Sequence, residues 1–307
     1  MKEKMLSIAP SFNCSLKCEG CYLTTGVTKL MRDSVKSDYY WKRAFDLAIQ
    51  NGYEQLAMTL NPYPGAEEVT LRHIAMARKA GFEKIAVTTV QQCMTKELID
   101  AVDILTISWD DMRFSNAGQI LRDAQNSEGD ENMWSYIWSL MDEFHAGGEY
   151  DDEGNLIRSF HLNINLLWTP VVFEEWLDDD DFIESMEWLL NEAGSQNMTI
   201  SITHLLYKPF SLYPGKKWFN RMVRKAEKAG IPIFGDGRQH IGDPAYLRNM
   251  NIVEPVCNNM LDIDPMGFVR RCPENPDAKN GSTLEKLEKI MKNGVPACGD
   301  KCNCVTG

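Results

Sequence analysis

The stretch CSLKCEGC at residues 14–21 follows closely on a short apolar run, MLSIAP, at residues 5–10. The run has the length of a buried strand, and the cysteines behind it are separated by three residues and then by two. Three thiolates on one loop each take one iron of a cubane cluster and leave the fourth iron without a protein ligand. Cys14, Cys18 and Cys21 therefore predict a cluster with an open coordination position. A zinc loop that borrows a distant fourth ligand stays open as an alternative.

Alternating apolar runs and amphipathic helices fill the first 235 residues. This α/β alternation predicts a parallel sheet with right-handed crossovers, and six such units predict a partial (β/α)6 TIM-like barrel with its chemistry at the carboxyl ends of the strands. The predicted strands span 5–10, 54–60, 84–90, 103–109, 160–168 and 198–206, with a short one at 231–234. The predicted helices span 38–50, 67–80, 95–102, 132–145, 173–191 and 216–229.

The alternation of strands and helices is interrupted in two places, and these interruptions define the predicted domain organisation. Residues 124–158 are interpreted as an insertion, because they hold a turn-prone DDEGN segment. From about residue 236 the pattern gives way to loops rich in glycine, proline and cysteine. We therefore predict a barrel domain at 1–235 and a small cysteine-rich domain at 236–307.

Composition and charge exclude several classes of protein. The 307 residues are 44% hydrophobic and 25% charged, which is ordinary for a globular chain. No apolar run reaches the ~20 residues of a membrane span, and the first residues lack the apolar stretch of a signal peptide, so we expect a cytoplasmic protein with no membrane partner. The net charge of −12 argues against a nucleic-acid partner, because phosphates need a basic surface. The acidic stretches 128–153 and 174–192 are interpreted as solvated helix faces, with attraction of a cationic substrate as the alternative.

A CxxxCxxC loop directly after the first strand of a partial barrel resembles the signature of the radical S-adenosylmethionine (SAM) superfamily. The resemblance covers residues 1 to about 235. It implies that the open iron binds SAM, and that reductive cleavage of SAM yields a 5′-deoxyadenosyl radical that abstracts hydrogen from the substrate. The chain departs from the pattern at Gly20, where the family usually has an aromatic residue, and Tyr22 follows the last cysteine instead.

The same resemblance implies a set of SAM contacts. The segment Gly65-Ala66-Glu67 is similar to a Gly-Gly-Glu segment that follows the second strand and contacts the SAM amino group. A carboxylate beside an ammonium group is chemically suited to that role, and the same residues also suit an ordinary helix start. The other implied SAM contacts are Tyr22 (adenine), Ser108 (carboxylate), Asn163 or Asn165 (ribose), and Thr88.

The cysteine-rich region at 236–307, here called the tail, contains five more cysteines. Cys257, Gly267 and Cys272 form a C-x9-G-x4-C pattern around a predicted β-hairpin at 261–269. The pattern resembles the opening of SPASM and Twitch extensions, which implies an auxiliary [4Fe–4S] cluster. The candidate ligands are Cys257, Cys272, Cys298, Cys302 and Cys304; with four positions to fill, one of the last two is left over. A structural zinc site stays open.

Several strand-end residues are candidates for lining a substrate pocket: Asp110, His204, Tyr207 and Arg238. Cys93 follows the third strand at the same end. It fits either a buried small hydrophobe or a hydrogen donor that quenches a substrate radical, as in radical SAM epimerases.

These observations predict a radical SAM enzyme with two [4Fe–4S] clusters and SAM, in which the auxiliary cluster assists net oxidation or bond formation. The predicted partners are a small-molecule or peptide substrate and an electron donor such as flavodoxin or ferredoxin. Only 13 residues precede Cys14, and we expect no separate peptide-recognition domain there, which favours a small molecule. The alternatives are an epimerase with a cysteine hydrogen donor, a peptide-modifying (RiPP-type) maturase, and a non-enzymatic zinc or iron–sulfur protein.

Overall fold

The computed structural model describes residues 4–16, 23, 27–90, 93, 95–109, 149–150, 152–153, 156–158, 161–168, 184, 187, 191, 200–206, 214–230, 233–234, 260–270 and 283–293. The chain divides into two compact units. The first unit comprises Met1–Ser15, Tyr22–Thr89 and Asp236–Gly307, and the second comprises Leu16–Cys21 and Val90–Gly235.

The elements follow the predicted order of strands and helices. In chain order they are β1 Lys4–Ile8, α1 Lys29–Asp33, α2 Asp38–Gln50, β2 Tyr53–Thr59, α3 Ala66–Ala80, β3 Lys84–Thr89, α4 Lys96–Ala101, β4 Ile104–Trp109, β5 Glu149–Tyr150, β6 Leu156–Arg158, β7 His161–Trp168, β8 Ile200–Leu206, α5 Lys216–Lys228, β9 Ile233–Phe234, β10 Met260–Ile263, β11 Val269–Arg270 and α6 Leu284–Asn293.

The predicted element bounds agree with the structure to within two residues wherever both exist. Helix α2 has the predicted bounds, and all six predicted barrel strands are present. Helices α1 and α6 were not predicted. The predicted helix at 132–145, and all but three residues of the one at 173–191, lie outside the described residues. Within the predicted insertion, β5 and β6 pair as an antiparallel hairpin.

The sheet of the first unit is built on rows of buried aliphatic side chains. Strands β1, β2 and β3 pair in parallel, and β10 pairs in parallel with the other edge of β1. One row across the four strands is therefore Leu261, Leu6, Leu56 and Ile85, all at most 1% exposed. The next row repeats the pattern two residues further along each strand. Because each such side chain contributes roughly 1.5–3 kcal/mol on burial, these rows fix the register of the sheet.

Helices α2 and α3 form an aromatic layer on this sheet. Trp41 of α2 is fully buried, and its ring meets that of His73 of α3 edge-on, with centroids 5.9 Å apart. Phe45 meets Phe82 in the same way at 5.7 Å. The His73 Nδ1 lies 2.6 Å from the Val69 carbonyl oxygen, and burial lowers the pKa of His73, so the imidazole is neutral at physiological pH.

The sheet of the second unit has one apolar and one polar face. Strands β4, β7, β8 and β9 pair in parallel in that order. Leu105, Ile107, Leu162 and Ile164 are buried on one face, while Thr106 begins the alternating polar positions on the other. None of the helices in the described ranges is long and apolar enough to cross a membrane.

Candidate functional site

The segment that carries Cys14 is fixed at both ends by backbone hydrogen bonds. Ala9 N–H donates to the Ile263 carbonyl oxygen at 3.3 Å, and Ser15 N–H donates to the Pro62 carbonyl oxygen at 2.6 Å. Cys14 is half-buried between them. The start of the cysteine loop is thus tied to the segment that follows β2. Cys18, Cys21 and Tyr22 lie outside the described residues.

That segment after β2 turns sharply into helix α3. Gly65 adopts a left-handed conformation with φ of 82°, which glycine reaches without the steric penalty of a side chain. Ala66 is buried and Glu67 is half-buried in the first turn. The Ala66 N–H donates to the Tyr63 carbonyl oxygen at 3.0 Å. The positive end of the dipole of this 15-residue helix lies beside the Glu67 carboxylate. This arrangement offers one charge of each sign, as the carboxylate and the amino group of an amino acid require.

The end of β3 is fastened to the end of β2. Leu60 N–H donates to the Thr88 carbonyl oxygen, and the Thr89 hydroxyl donates to the Leu60 carbonyl oxygen, each at 2.9 Å. Because β1, β2 and β3 are parallel, Cys14, the 65–67 turn and Thr88 all follow or end strands at one edge of the first unit's sheet.

The second unit groups four polar residues on one sheet face. Ser108 stands in register with Asn165, and Thr106 with Asn163. Asn163 Nδ2 donates to Asn165 Oδ1 at 3.0 Å and to Thr106 Oγ1 at 3.5 Å. Asparagine is uncommon in strands, so this polar face suits a hydrogen-bonding ligand or water. Thr106 was missed from the sequence, although its two-residue spacing from Ser108 is the signal for a shared face.

The predicted substrate-side residues are placed only in part. Cys93 is half-buried, and its N–H donates to the Val90 carbonyl oxygen at 3.0 Å in the turn after β3. His204 stands in register with Leu166, one residue out of phase with Asn165. Asp110, Tyr207 and Arg238 lie outside the described residues.

The predicted hairpin at 261–269 is confirmed as β10 and β11, and its turn is locked against α2. The Asp264 carboxylate, 2% exposed, accepts two backbone N–H groups of the turn. The Tyr40 hydroxyl donates to the Gly267 carbonyl oxygen at 3.2 Å, and Lys36 N–H donates to the Pro265 carbonyl oxygen at 2.8 Å. Burial, and then the Asp264 charge, raise the pKa of Tyr40, so its hydroxyl remains a donor.

Two predicted cluster ligands adjoin the strands of this hairpin in sequence. Cys257 precedes β10 by three residues, and Cys272 follows β11 by two. The first residue of β10, Met260, stands in register with Met5 near the amino end of β1. The last residue of β11, Arg270, pairs with Asp262 and so stands at the level of Ser7, and β11 runs toward the amino end of β1. Ser7 of β1 donates to the buried Asp262 of β10 at 2.9 Å, a polar pair that sequence reasoning missed.

Of the eight predicted cysteine ligands, the structure describes Cys14 alone. The other seven, Cys18, Cys21, Cys257, Cys272, Cys298, Cys302 and Cys304, lie outside the described residues. Among the residues that are described, no three His, Cys, Asp or Glu side chains are grouped so as to hold a metal ion.

We expect Gly267→Ala to destabilise the chain more than Gly52→Ala. Both glycines have positive φ, 81° and 78°, so alanine is strained at either position. A Cβ at Gly267 would lie 2.7 Å from Lys36 Cε and 2.8 Å from the Tyr40 hydroxyl, whereas Gly52 has nothing within 4 Å. The expected extra loss is about 1–3 kcal/mol by urea denaturation. Equal losses for the two variants would contradict the close docking of the hairpin.

Comparisons with known proteins identify the fold. No family model matches the chain, and no curated protein is similar to it in sequence. The structure is similar to that of Streptococcus suis SuiB bound to the precursor peptide SuiA, with a TM-score of 0.57 and 14% identity. That match covers 97% of this chain and 66% of SuiB, so the chain spans just under two thirds of SuiB. It is also similar to anSMEcpe with bound AdoMet (SAM), with a TM-score of 0.53, 11% identity, and 94% and 80% coverage. At these low identities the two likenesses show that the chain shares the fold of SuiB and anSMEcpe.

Proposed function

We propose that this chain is a radical SAM enzyme that modifies a peptide. The observation that carries the proposal is the position of Cys14, which opens a CxxxCxxC loop after β1 and lies at the same sheet edge as the turn into α3. The fold shared with SuiB and anSMEcpe supports it.

The donor set on the loop suits an iron–sulfur cluster. Cys14, Cys18 and Cys21 are three soft thiolates within eight residues, and the Ser15–Pro62 hydrogen bond fixes the first of them beside the α3 turn. When bound, the cluster and SAM supply reductive cleavage to a 5′-deoxyadenosyl radical. The chain's part is to seat SAM, with Glu67 near its amino group and the first turn of α3 near its carboxylate. Further SAM contacts would come from Tyr22, Thr88, Ser108, Asn163 and Asn165.

We assign an auxiliary [4Fe–4S] cluster to the tail. Its ligands would be Cys257, Cys272, Cys298 and one of Cys302 and Cys304. The hairpin supports this assignment, because β10 begins near the amino end of β1, β11 runs toward that end, and Cys257 and Cys272 adjoin these two strands in sequence. The cluster would assist net oxidation or bond formation, and an external donor such as flavodoxin or ferredoxin would supply electrons.

The substrate we propose is a peptide rather than a small molecule. The support is the likeness to SuiB, whose structure holds a precursor peptide and whose fold matches 97% of this chain. Asp110, Tyr207, Arg238, His204 and Cys93 are the residues we assign to the substrate side.

Anaerobic reconstitution with iron and sulfide tests the proposal. We expect about eight irons per chain, as two [4Fe–4S] clusters require, and release of 5′-deoxyadenosine when SAM and dithionite are added. Stoichiometric zinc without any cleavage of SAM would overturn the proposal and favour the non-enzymatic zinc protein.

We expect Glu67→Gln to weaken SAM binding about tenfold, because it removes a charge-assisted hydrogen bond to the SAM ammonium group. Glu68→Gln is the matched control, since Glu68 is the next residue in the same turn of α3 but is exposed. Calorimetric titration of the reconstituted protein with SAM measures both variants. The SAM contact of Glu67 is wrong if the two variants weaken binding equally.

A further inference from the structure

The polar face of the second unit's sheet carries four uncharged side chains in two rows. Thr106 is in register with Asn163 in one row, and Ser108 is in register with Asn165 in the next. Because β4 and β7 are parallel, the Ser108–Asn165 row lies about 6.6 Å closer to the carboxyl ends of both strands. Parallel α/β sheets bind their ligands at those ends, so this second row is on the ligand side. Since none of the four side chains is charged, they recognise a ligand through hydrogen bonds.

Asn163, in the row further from the ligand side, has both of its amide hydrogens engaged within the face. Its Nδ2 donates to Asn165 Oδ1 at 3.0 Å and to Thr106 Oγ1 at 3.5 Å, and the shorter bond is the stronger one. An amide nitrogen carries two hydrogens, so these two bonds use both. Thr106 is 8% exposed, so this end of the Asn163 carboxamide lies against a buried side chain. The Asn163 amide nitrogen therefore has no hydrogen left to donate to a ligand.

Asn165 is held in one orientation by the hydrogen bond from Asn163. Its Oδ1 accepts that bond, so its Nδ2 points the other way and is the donor that the carboxamide presents. Asn165 is half-buried, and its Nδ2 is not one of the solvent-inaccessible atoms without a partner in the described part of the chain, so a ligand can reach it. The two ends of a carboxamide are alike in shape. Without the bond from Asn163, the Asn165 carboxamide is free to turn over and present its oxygen instead.

We propose that Asn163 is a positioning residue for SAM. It fixes the Asn165 carboxamide so that Asn165 Nδ2 donates a hydrogen bond to an uncharged acceptor of SAM, and it does not contact SAM itself. SAM supplies such acceptors in its hydroxyl oxygens and its adenine ring nitrogens. Of the two asparagines assigned to SAM, Asn165 is then the one that binds it. The inference rests on the proposed function for the identity of the ligand.

A double-mutant cycle on SAM binding to the reconstituted protein tests the inference. Leucine has nearly the shape of asparagine, and its side chain forms no hydrogen bond. We expect Asn165→Leu to weaken SAM binding about fivefold, the loss of one hydrogen bond, and Asn163→Leu to weaken it about threefold, because Asn165 then turns freely. The double variant should bind SAM no more than about fivefold more weakly than the wild type, whereas independent contacts would multiply to about fifteenfold. Isothermal titration calorimetry measures the four dissociation constants.

A kinetic measurement and a control variant separate positioning from general damage to the fold. Asn163→Leu should raise the KM for SAM and leave kcat for 5′-deoxyadenosine release unchanged at saturating SAM, because it alters binding and not the reacting atoms. The matched control is Asn51→Leu, directly after α2 in the first unit. Asn51 is also half-buried, and its Nδ2 donates to the Leu47 carbonyl oxygen at 2.7 Å. Its replacement should leave SAM binding at the wild-type level.

Losses that multiply to about fifteenfold in the double variant would overturn the inference, because Asn163 would then contact SAM independently. Wild-type affinity in Asn163→Leu would also overturn it, as would a fall in its kcat or an equal weakening by Asn51→Leu. All of these results leave the proposed function standing as long as 5′-deoxyadenosine is released. A wild-type protein that binds no SAM would overturn the proposed function and this inference with it.

Discussion

Cys14→Ser is expected to lower the release of 5′-deoxyadenosine by more than about a hundredfold. Loss of a residue that only supports a metal ligand lowers activity by up to about a hundredfold, and loss of the ligand itself should lower it further. Iron should fall from about eight to about four per chain, because a cluster held by three thiolates does not survive the loss of one. The backbone around Cys14 keeps its hydrogen bonds from Ala9 and Ser15, so the fold should be retained. Chromatographic detection of 5′-deoxyadenosine and a colorimetric iron assay measure the two effects.

Cys93→Ala is the control for the loss of a thiol. Cys93 is half-buried like Cys14 but lies outside the CxxxCxxC loop, so the iron content should stay at the wild-type level. Retention of full activity by Cys14→Ser would refute its assignment as a cluster ligand. If Cys93→Ala releases 5′-deoxyadenosine but forms no product, the epimerase alternative is favoured, and incorporation of a solvent deuteron then tests it.

Trp41→Ala should destabilise the first unit by about 3–5 kcal/mol, the usual loss for removing a buried aromatic side chain. Trp41 is fully buried, and its ring is edge-on to Tyr40 at 5.6 Å and to His73 at 5.9 Å. Its removal leaves a cavity between α2 and α3 that neither ring can fill. Guanidinium denaturation monitored by circular dichroism measures the change.

Tyr39→Ala is the companion variant on the same helix. Tyr39 is 69% exposed, so its truncation should change the free energy of unfolding by no more than about 0.5 kcal/mol. A comparable loss in the two variants would mean that α2 does not present its Trp41 side to the core.

The sequence predicted local structure well because burial is periodic within each element. Helix α2 has its predicted bounds, since Asp38 supplies a favourable first-turn charge and Gly52 stops the helix. Helix α1 was not predicted because it lacks such a pattern of buried residues. It has no buried residue, so its sequence carries no apolar period.

The pairing of strands that are distant in the chain could not be predicted from the sequence. Ser7 and Asp262 are hydrogen-bonded although 255 positions separate them, and no local pattern encodes that β10 lies beside β1. At the site, the residues with distinctive chemistry were found through their motifs. The role of the Pro62 carbonyl oxygen was not predicted. It holds the cysteine loop through the backbone, and a backbone group is present in every type of residue.

The pairing of β1 with β10 has a consequence for how the chain is made. Until Met260–Ile263 has left the ribosome, one edge of β1 has no strand beside it, and its unpaired N–H and C=O groups are open to another chain. Strand β1 therefore stays unpaired on that edge until a segment 255 positions further along the chain has been synthesised. A contact of such long sequence separation makes folding slow and leaves the nascent chain exposed to aggregation. Removal of the cysteine-rich tail would recreate that open edge permanently, so the tail acts as the closing strand of the first sheet.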